Sequence, residues 1–215
     1  MAQRIEHPGA SAYLPDASGA GLDELAVAVQ HCRGCNLYED ATQAVFGTGL
    51  RHARIMLVGE QPGDVEDRAG APFVGPAGGV LDDALGEAGL ARADVYLTNA
   101  VKHFRWRTSP RGKRRIHERP TTGQMVACRP WLEAEFTAVQ PSLVVALGAT
   151  AVSSLFGPSV GLTASRGREL RWHDCPAVAT IHPSAVLRVP DSDDRAETYR
   201  GLVDDLRSAQ TLLET

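Results

Sequence analysis

The chain has 215 residues, of which 43% are hydrophobic and 22% are charged, and its formal net charge is −4. These values are typical of one globular domain of ordinary size with a substantial core. The longest apolar runs, such as Leu143 to Leu147, are too short to span a bilayer, and the N-terminus lacks the apolar stretch of a signal peptide. We therefore expect a cytoplasmic protein with no membrane partner, and nothing in the sequence indicates more than a monomer.

The first 20 residues are rich in Gly, Ala, Ser and Pro, and we expect them to form a loose lead-in to a single domain over residues 21–215. Apolar periodicity and turn signals then predict helices in alternation with short buried strands. The predicted helices are 22–31, 80–88, 122–139, 149–156 and 194–213, and the predicted strands are 55–58, 95–97, 143–147 and 177–181. This alternation predicts an α/β fold, a single-domain αβα sandwich around a central four-stranded parallel sheet.

Positive charge is concentrated in the segment from Lys102 to Arg119, which holds eight Lys and Arg and a single acid. The rest of the chain has 14 basic and 25 acidic residues, a net charge of −11. A basic run is often no more than a solvated loop. An acidic body with one basic segment nevertheless favours a single face that meets phosphates. The cations of this segment that we expect on DNA are Lys102, Arg111, Lys113, Arg114 and Arg115.

Polar, turn-forming clusters follow three of the predicted strands. They are Gly59-Glu60-Gln61-Pro62-Gly63, the segment from Thr98 to His103, and His182-Pro183-Ser184. In open parallel sheets ligands bind outside the carboxyl ends of the strands, so the three clusters are expected to converge on one pocket. Each cluster alone is as typical of a structural turn as of a binding site.

The order of these clusters along the chain is more specific than any one of them. The series is Gly59–Gly63, Phe73 within residues 72–78, Thr98-Asn99, residues 147–150, and His182-Pro183-Ser184. It resembles the uracil-DNA glycosylase superfamily from about Cys32 to Leu206, and most closely the iron–sulfur branch. The insert Lys113-Arg114-Arg115-Ile116-His117 is similar to that of the UdgX type, which links itself covalently to uracil-containing DNA.

The resemblance implies a role for each site residue. Phe73 is expected to form the stacking floor under a flipped base, and the Asn99 amide to read O4 and N3–H of uracil. His182 is expected to hydrogen-bond O2 and to stabilise the uracil anion that develops. His117 is expected to attack the sugar C1′, with Glu60 as the carboxylate that orients it.

The resemblance also groups Asp64 with the catalytic side chains, and Gly59, Gln61 and Ser184 with those that bind the substrate. Arg115 is expected to hold the loop or a phosphate. Without the resemblance, Phe73 would be an ordinary core aromatic and His117 a loop histidine among basic residues.

The cysteines form a second group of candidate ligands. Cys32 and Cys35 have metal-ligand spacing, and Cys128 lies on a predicted helix. Spacing alone favours a structural zinc site, whereas the resemblance implies a [4Fe–4S] cluster. The position that holds a cysteine ligand in the iron–sulfur branch reads His103 here, so we expect His103 as the fourth ligand in preference to Cys175.

Three functions are compatible with these motifs. The preferred one is a UdgX-type enzyme that excises uracil from single- or double-stranded DNA and remains attached through His117. The second is a hydrolytic uracil-DNA glycosylase that releases its product and turns over. The third, of another class, is a non-catalytic iron–sulfur module that binds DNA.

Overall fold

The structure is a computed structural model that describes residues 7–15, 19–110, 112 and 114–213. Its α-helices are α1 (Leu22–Val29), α2 (Asp64–Ala69), α3 (Pro76–Glu87), α4 (Thr122–Val139), α5 (Ala149–Phe156), α6 (Leu162–Ser165), α7 (Pro183–Arg188) and α8 (Ser192–Leu212). Its strands are β1 (Ile55–Gly59), β2 (Val95–Asn99), β3 (Trp106–Thr108), β4 (Arg115–His117), β5 (Leu143–Leu147), β6 (Leu170–Trp172) and β7 (Cys175–Thr180). Short 3₁₀ turns lie at Ala10–Tyr13, Asn36–Glu39 and Arg92–Asp94.

The central sheet has the strand order β2-β1-β5-β7-β6. The first four strands are parallel to one another, as the sequence predicts, and β6 adds an antiparallel edge through a hairpin with β7. Cys175 begins β7 at this hairpin. Gly59 of β1 lies in register with Asn99 of β2, so the ends of these two strands are adjacent.

Both faces of the sheet are covered by helices, which explains why its strands are continuously apolar. Side chains of a strand alternate between faces. Met56 and Val58 therefore join the core under α4 and α5, while Ile55 and Leu57 join the core under α3 and α8. The predicted αβα sandwich is confirmed, and within the described residues no helix combines the length and apolarity needed to cross a bilayer.

The ends of the longest internal helix follow from its sequence. The Thr121 hydroxyl accepts from the backbone N–H of Gln124, and the Gln124 side chain accepts from the backbone N–H of Thr121. This capping box satisfies two N–H groups that the helix leaves open. At the other end, Gln140 adopts a left-handed conformation (φ 53°) that terminates α4. The bounds of α4 are those predicted.

The N-terminal residues that the structure describes are packed against the body. Ala10 is buried in a third core with α1, α4 and the segment that carries Cys32. The prediction of a loose lead-in does not describe this part, since Gly9 also donates its N–H to the carbonyl of Gly34.

The basic segment contains a two-stranded antiparallel hairpin, β3 with β4, where the sequence suggested only a loop. Trp106 lies opposite His117, and Thr108 opposite Arg115. The two strands have three residues each and carry charged side chains, so neither has the apolar alternation that marks a strand in sequence.

Candidate active site

The carboxyl ends of β1 and β2 form one side of a pocket with Phe73. A Cβ on Gly59 would collide with Oδ1 of Asn99 and would lie 2.6 Å from Cζ of Phe73. Only glycine lets an amide and an aromatic ring approach the strand end this closely. At the other side, a Cβ on Gly148 would lie 2.8 Å from Cβ of His182. The predicted convergence of the strand-end clusters is therefore what the structure shows.

Phe73 is held in an unusual conformation. Its side chain is buried, and its φ is 55°, in the left-handed region that bulky residues rarely adopt. The following turn needs Gly78, because a Cβ there would overlap the carbonyl of Phe73. The Phe73 ring lies 6.1 Å from the His182 ring, with 27° between the planes. Such strain at a pocket wall is typical of a functional position.

Asn99 places a polar amide next to that ring. The residue is 3% exposed, and its backbone carbonyl accepts from Nζ of Lys102 at 2.7 Å. Its carboxamide has no hydrogen-bond partner within the described part of the chain. Within the described ranges the one fully enclosed polar side-chain atom without a partner is Nε1 of Trp172, so the Asn99 amide reaches open space and is available to a ligand in the pocket.

His182 caps the N-terminus of α7, and its hydrogen bonds fix its tautomer. The backbone N–H of Ser184 donates to Nδ1 of His182 at 3.2 Å, and the Ser184 hydroxyl lies 2.8 Å from the same atom. Nδ1 must then be unprotonated, which leaves the proton on Nε2. Burial lowers the pKa of His182 to about 4, so the ring is neutral at pH 7. Ser184, predicted to bind substrate, instead orients this ring.

Glu60 and His117 meet at the mouth of the pocket. Nε2 of His117 lies 3.4 Å from Oε1 of Glu60, and the Thr150 hydroxyl donates to the other carboxylate oxygen. The His117 side chain is 48% exposed and its ring lies 5.8 Å from that of Phe104. Burial lowers the pKa of His117, which the Glu60 carboxylate partly opposes. Thr150 lies two residues after Gly148, which contacts His182, so Glu60 and His117 lie at the edge of the same pocket.

Arg115 fixes the hairpin that carries His117. Its guanidinium pairs with Asp64 and with Asp67, the latter at 2.6 Å. The same group lies 5.4 Å from the ring centroids of both Phe104 and Trp106. Of the two roles expected for Arg115, the structure supports the first, which is to hold the loop. Its guanidinium is engaged by two carboxylates and is therefore not directed at a phosphate. Asp64, grouped with the catalytic side chains in the sequence analysis, is a partner of this ion pair.

Gln61 holds the root of the same hairpin. Its amide nitrogen donates to the carbonyls of Arg105 and Glu118, each at 3.1 Å, and its amide oxygen accepts from the Arg105 N–H at 3.1 Å. The side chain was predicted to bind substrate, but these three bonds use its amide on the protein backbone. The hairpin is thus attached to β1 at its root and to α2 through Arg115.

The expectation that Lys102 contacts DNA is wrong. The side chain is fully buried, and its ammonium group pairs with the equally buried Glu135. A buried charge without a partner is unfavourable, so this lysine is held by the core. Arg114 is exposed and stays a DNA-binding candidate, whereas Arg111 and Lys113 lie outside the described residues.

Two buried acids, Glu66 and Glu135, were not predicted from the sequence. Glu66 accepts from the backbone N–H of Gly63 at 3.1 Å and from that of Gly75 at 2.8 Å. Its position, three residues after the glycine that caps α2, is a capping-box signal. Glu135 shares the inward face of α4 with Trp131 and Val139, four residues away on either side, and that spacing marks it as a buried acid.

The three cysteines predicted as ligands lie close together. Cys32 and Cys128 are buried in one core with the half-buried Cys35, and Nε1 of Trp131, three residues after Cys128 on α4, donates to Cys32 Sγ at 3.2 Å. Burial raises the pKa of Cys128 to about 12. The backbone N–H of Lys102 donates to Cys128 Sγ at 3.3 Å, and the next residue, His103, is 5% exposed. In the described ranges, however, no three His, Cys, Asp or Glu are grouped as ligands around one ion.

Cys175 has a different environment. Its Sγ lies 3.3 Å from the carbonyl oxygen of Pro141, and the residue belongs to the core beneath α4 and α5. The other three cysteines belong to the N-terminal core with α1. Cys175 is therefore separated from the candidate ligands.

Comparison with known proteins identifies the family. Residues 46–207 match the family model described as the uracil DNA glycosylase superfamily. The chain belongs to this superfamily. A type-4 uracil-DNA glycosylase of Thermotoga maritima is 36% identical over 86% of this chain and 91% of its own length. The corresponding enzyme of Archaeoglobus fulgidus is 33% identical over 82% of this chain and 88% of its own.

A third relative has a different setting. A DNA polymerase of Bacillus phage SP01 is 29% identical over 69% of this chain, but the match covers only 15% of the polymerase. The family and the fold inferred from the ordered motifs are thus confirmed, and with them the prediction of a glycosylase-type enzyme.

Proposed function

We propose that this chain excises uracil from DNA and then becomes covalently linked, through His117, to the deoxyribose that uracil leaves. The observation that carries the proposal is the position of the His117 imidazole, beside Glu60 at the mouth of the pocket that Phe73, Asn99 and His182 line. The general activity is supported by the superfamily match and by the type-4 relatives.

Recognition of the base starts with rotation of uracil out of the stack, which costs a few kcal/mol. Stacking on the Phe73 ring returns about 1–3 kcal/mol of that cost. The unpartnered carboxamide of Asn99 can donate to O4 and accept from N3–H. Cytosine presents the reverse pattern on that edge, so it would leave the buried amide unsatisfied and be rejected.

Cleavage breaks the bond between C1′ and N1, and the electron pair leaves with uracil. The base becomes an anion while the sugar acquires oxocarbenium character. His182 suits this step because its Nε2 carries the proton and its ring is neutral. A neutral donor held in place by Ser184 can stabilise negative charge on O2 without giving up its proton.

The covalent step uses the lone pair of a His117 ring nitrogen. This nitrogen forms a bond to C1′, and the ring becomes positively charged before it loses its other proton to solvent. The lowered pKa of His117 keeps the ring neutral, and hence nucleophilic, near pH 7. Glu60, held by Thr150, lies where its carboxylate can stabilise the positive ring.

The hairpin makes this attack geometrically reasonable. Gln61 fixes its root and Arg115 fixes its far strand, so His117 is presented on a restrained element and not on a free loop. Positioning of this kind lowers the entropic barrier of an attack. Arg114, with Arg111 and Lys113 in the same segment, supplies positive charge for the flanking phosphates.

The proposal includes a [4Fe–4S] cluster held by Cys32, Cys35, Cys128 and His103. Each ligand of such a cluster binds a different iron, so the ligands do not have to surround a single ion. The shared core of the three cysteines and the short link from Cys128 to the residue before His103 support this set. When bound, the cluster would supply structural cross-linking between the segment after α1, the start of the basic segment and α4.

Colour tests the metal directly. A brown protein with broad visible absorption and about four irons per chain is expected. A colourless protein that contains zinc would refute the cluster while leaving the glycosylase proposal intact.

The covalent step is tested by His117→Ser on a uracil-bearing oligonucleotide, with gel electrophoresis after SDS and heat. The parent is expected to give a retarded band, whereas the variant gives none and releases uracil, because water can enter the vacated space. His52→Ser, at an exposed histidine remote from the pocket, is the matched control and should behave as the parent. If the His117→Ser variant cross-links as well as the parent, His117 is not the nucleophile.

The second candidate, a hydrolytic glycosylase, is favoured by the type-4 enzymes among the relatives. It predicts that the parent releases uracil with multiple turnovers and shows no retarded band. The same gel therefore separates the two functions.

A further inference from the structure

We propose that Lys102 is a positioning residue for uracil recognition: held by Glu135, its ammonium group closes the turn after β2 and fixes the Asn99 carboxamide. The inference rests on the proposed function, because it assumes that Asn99 reads the base. Neither residue of the ion pair is accessible to substrate, so the effect must pass through Asn99.

The ammonium group is fully occupied within the core. It donates to the Glu135 carboxylate, to the Thr98 hydroxyl at 2.7 Å and to the Asn99 carbonyl at 2.7 Å. An ammonium has three protons, so these three acceptors satisfy it completely. Its placement is therefore specific and not a compromise between alternative partners.

The Glu135 carboxylate is also held by several hydrogen bonds. It accepts from the backbone N–H of Gly47 at 2.9 Å and from the Tyr96 hydroxyl at 3.2 Å. It also accepts from the Thr98 hydroxyl at 2.9 Å. These contacts join α4, β2 and the segment before β1. Glu135 thus provides a fixed point to which Lys102 is attached.

The turn that follows β2 is held from two sides. Towards β1, the N–H groups of Ala100 and Val101 donate to the carbonyls of Gly59 and Glu60, both at 3.0 Å. On the core side, the only bond described for the Asn99 carbonyl is the one from Lys102. Loss of that bond would leave the peptide unit between Asn99 and Ala100 held from the β1 side alone.

The Asn99 side chain has little tolerance for such a shift. Its Oδ1 and Cζ of the Phe73 ring both lie against the position that a Cβ on Gly59 would take. A displacement of the backbone would move the amide either into the strand end or away from the base. Misplacement by about 1 Å at a reacting site can cost about 100-fold in rate.

A merely structural role for the ion pair is the competing explanation. Replacing both charges by neutral groups of similar size often leaves stability unchanged. Lys102→Met combined with Glu135→Gln does this, and the glutamine can still accept from Gly47 and donate to the Thr98 hydroxyl. The double variant should stay folded under the assay conditions but lack the donor to the Asn99 carbonyl.

The test is a mutant cycle with Asn99→Ala, read out as the single-turnover rate of uracil release from an oligonucleotide. In the parent background we expect the double variant to slow release at least tenfold, with the half-saturating protein concentration changed less than twofold. In the Asn99→Ala background the same double variant should change the rate less than twofold, because its effect passes through Asn99. Arg129→Met with Glu133→Gln, a half-exposed pair on the same helix, is the matched control and should have no effect on the rate.

Two results would overturn the inference. One is a double variant that releases uracil at the parental rate, and the other is an equal loss of rate in both backgrounds. If the double variant does not fold, Lys102→Gln with Glu135→Gln, which leaves no unpaired charge and keeps polar groups in the core, goes through the same cycle and should slow release about threefold in the parent background only. A parent that releases no uracil would instead refute the proposed function.

Discussion

Glu66 connects the two loops that wall the pocket, and its replacement by Gln tests that connection. One carboxylate oxygen accepts from Gly63, at the end of the loop after β1, and the other from Gly75, just after Phe73. Gln offers a single acceptor oxygen, and its NH₂ group would face a backbone N–H. The substitution keeps the size of the side chain but removes one of the two bridges.

The expected cost follows from this geometry. A hydrogen bond to a charged group contributes about 1.5–3 kcal/mol, and a buried N–H left without an acceptor costs about 1–3 kcal/mol. Because these two contributions overlap, we expect Glu66→Gln to lower the free energy of unfolding by about 2–4 kcal/mol. For a chain of this length that corresponds to a melting temperature lower by about 5–15 °C.

Urea unfolding followed by circular dichroism measures this change. Glu197→Gln, the same substitution at an exposed position on α8, is the control and should remain within about 0.5 kcal/mol of the parent. Uracil release by Glu66→Gln should also slow, since Phe73 loses its restraint. An unfolding free energy equal to that of the control variant would show that Glu66 does not join the two loops.

Three further outcomes are expected. Glu60 raises and Arg188 lowers the pKa of His117, and only the neutral ring is nucleophilic, so adduct formation falls as pH falls through that pKa. In a pH series of adduct yield, Glu60→Gln should move this acid limb to lower pH and Arg188→Gln should move it to higher pH; shifts of the opposite sign would contradict the assignment. Gly59→Ala should slow uracil release about 100-fold, because its Cβ displaces the carboxamide that reads the base. Gly86→Ala, where a Cβ meets nothing within 4 Å, should leave the rate unchanged, and equal rates for both variants would argue against a closely fitted pocket.

The parallel sheet and the convergence of its strand ends could be predicted from sequence. Runs such as 55–58 and 143–147 are short, apolar and closed by turn residues, and their alternation with helical periodicity leaves few topologies. The edge strand β6 was not among the predicted strands, because its three residues, Leu170 to Trp172, include a charged side chain and follow no apolar run.

The assignments that failed depend on long-range partners. Lys102 was counted with the basic segment, but its neighbours Val101 and His103 are both buried, and its partner Glu135 comes from a distant helix. Gln61 stands next to Glu60, yet its amide is used by backbone that lies more than 40 residues further along the chain. The local sequence pattern shows that a residue is polar and lies near a site. It does not show which partner forms its hydrogen bonds or ion pair.

The hairpin illustrates the same limit in a functional element. The order of basic residues around His117 suggested a loop that grips phosphates, and Arg114 still fits that role. Arg115 differs because two carboxylates on α2 and two aromatic rings hold it. Adjacent residues of one motif therefore have different tasks, one directed to solvent and the other to the fold.

Intact-protein mass spectrometry after incubation with a uracil-bearing oligonucleotide tests the central claim most directly. The account predicts a species with the mass of the chain plus the oligonucleotide less uracil, and a peptide that carries the remaining deoxyribose on His117. Protein of unchanged mass together with released uracil would contradict the covalent step, and a modification on a different residue would contradict the role given to His117.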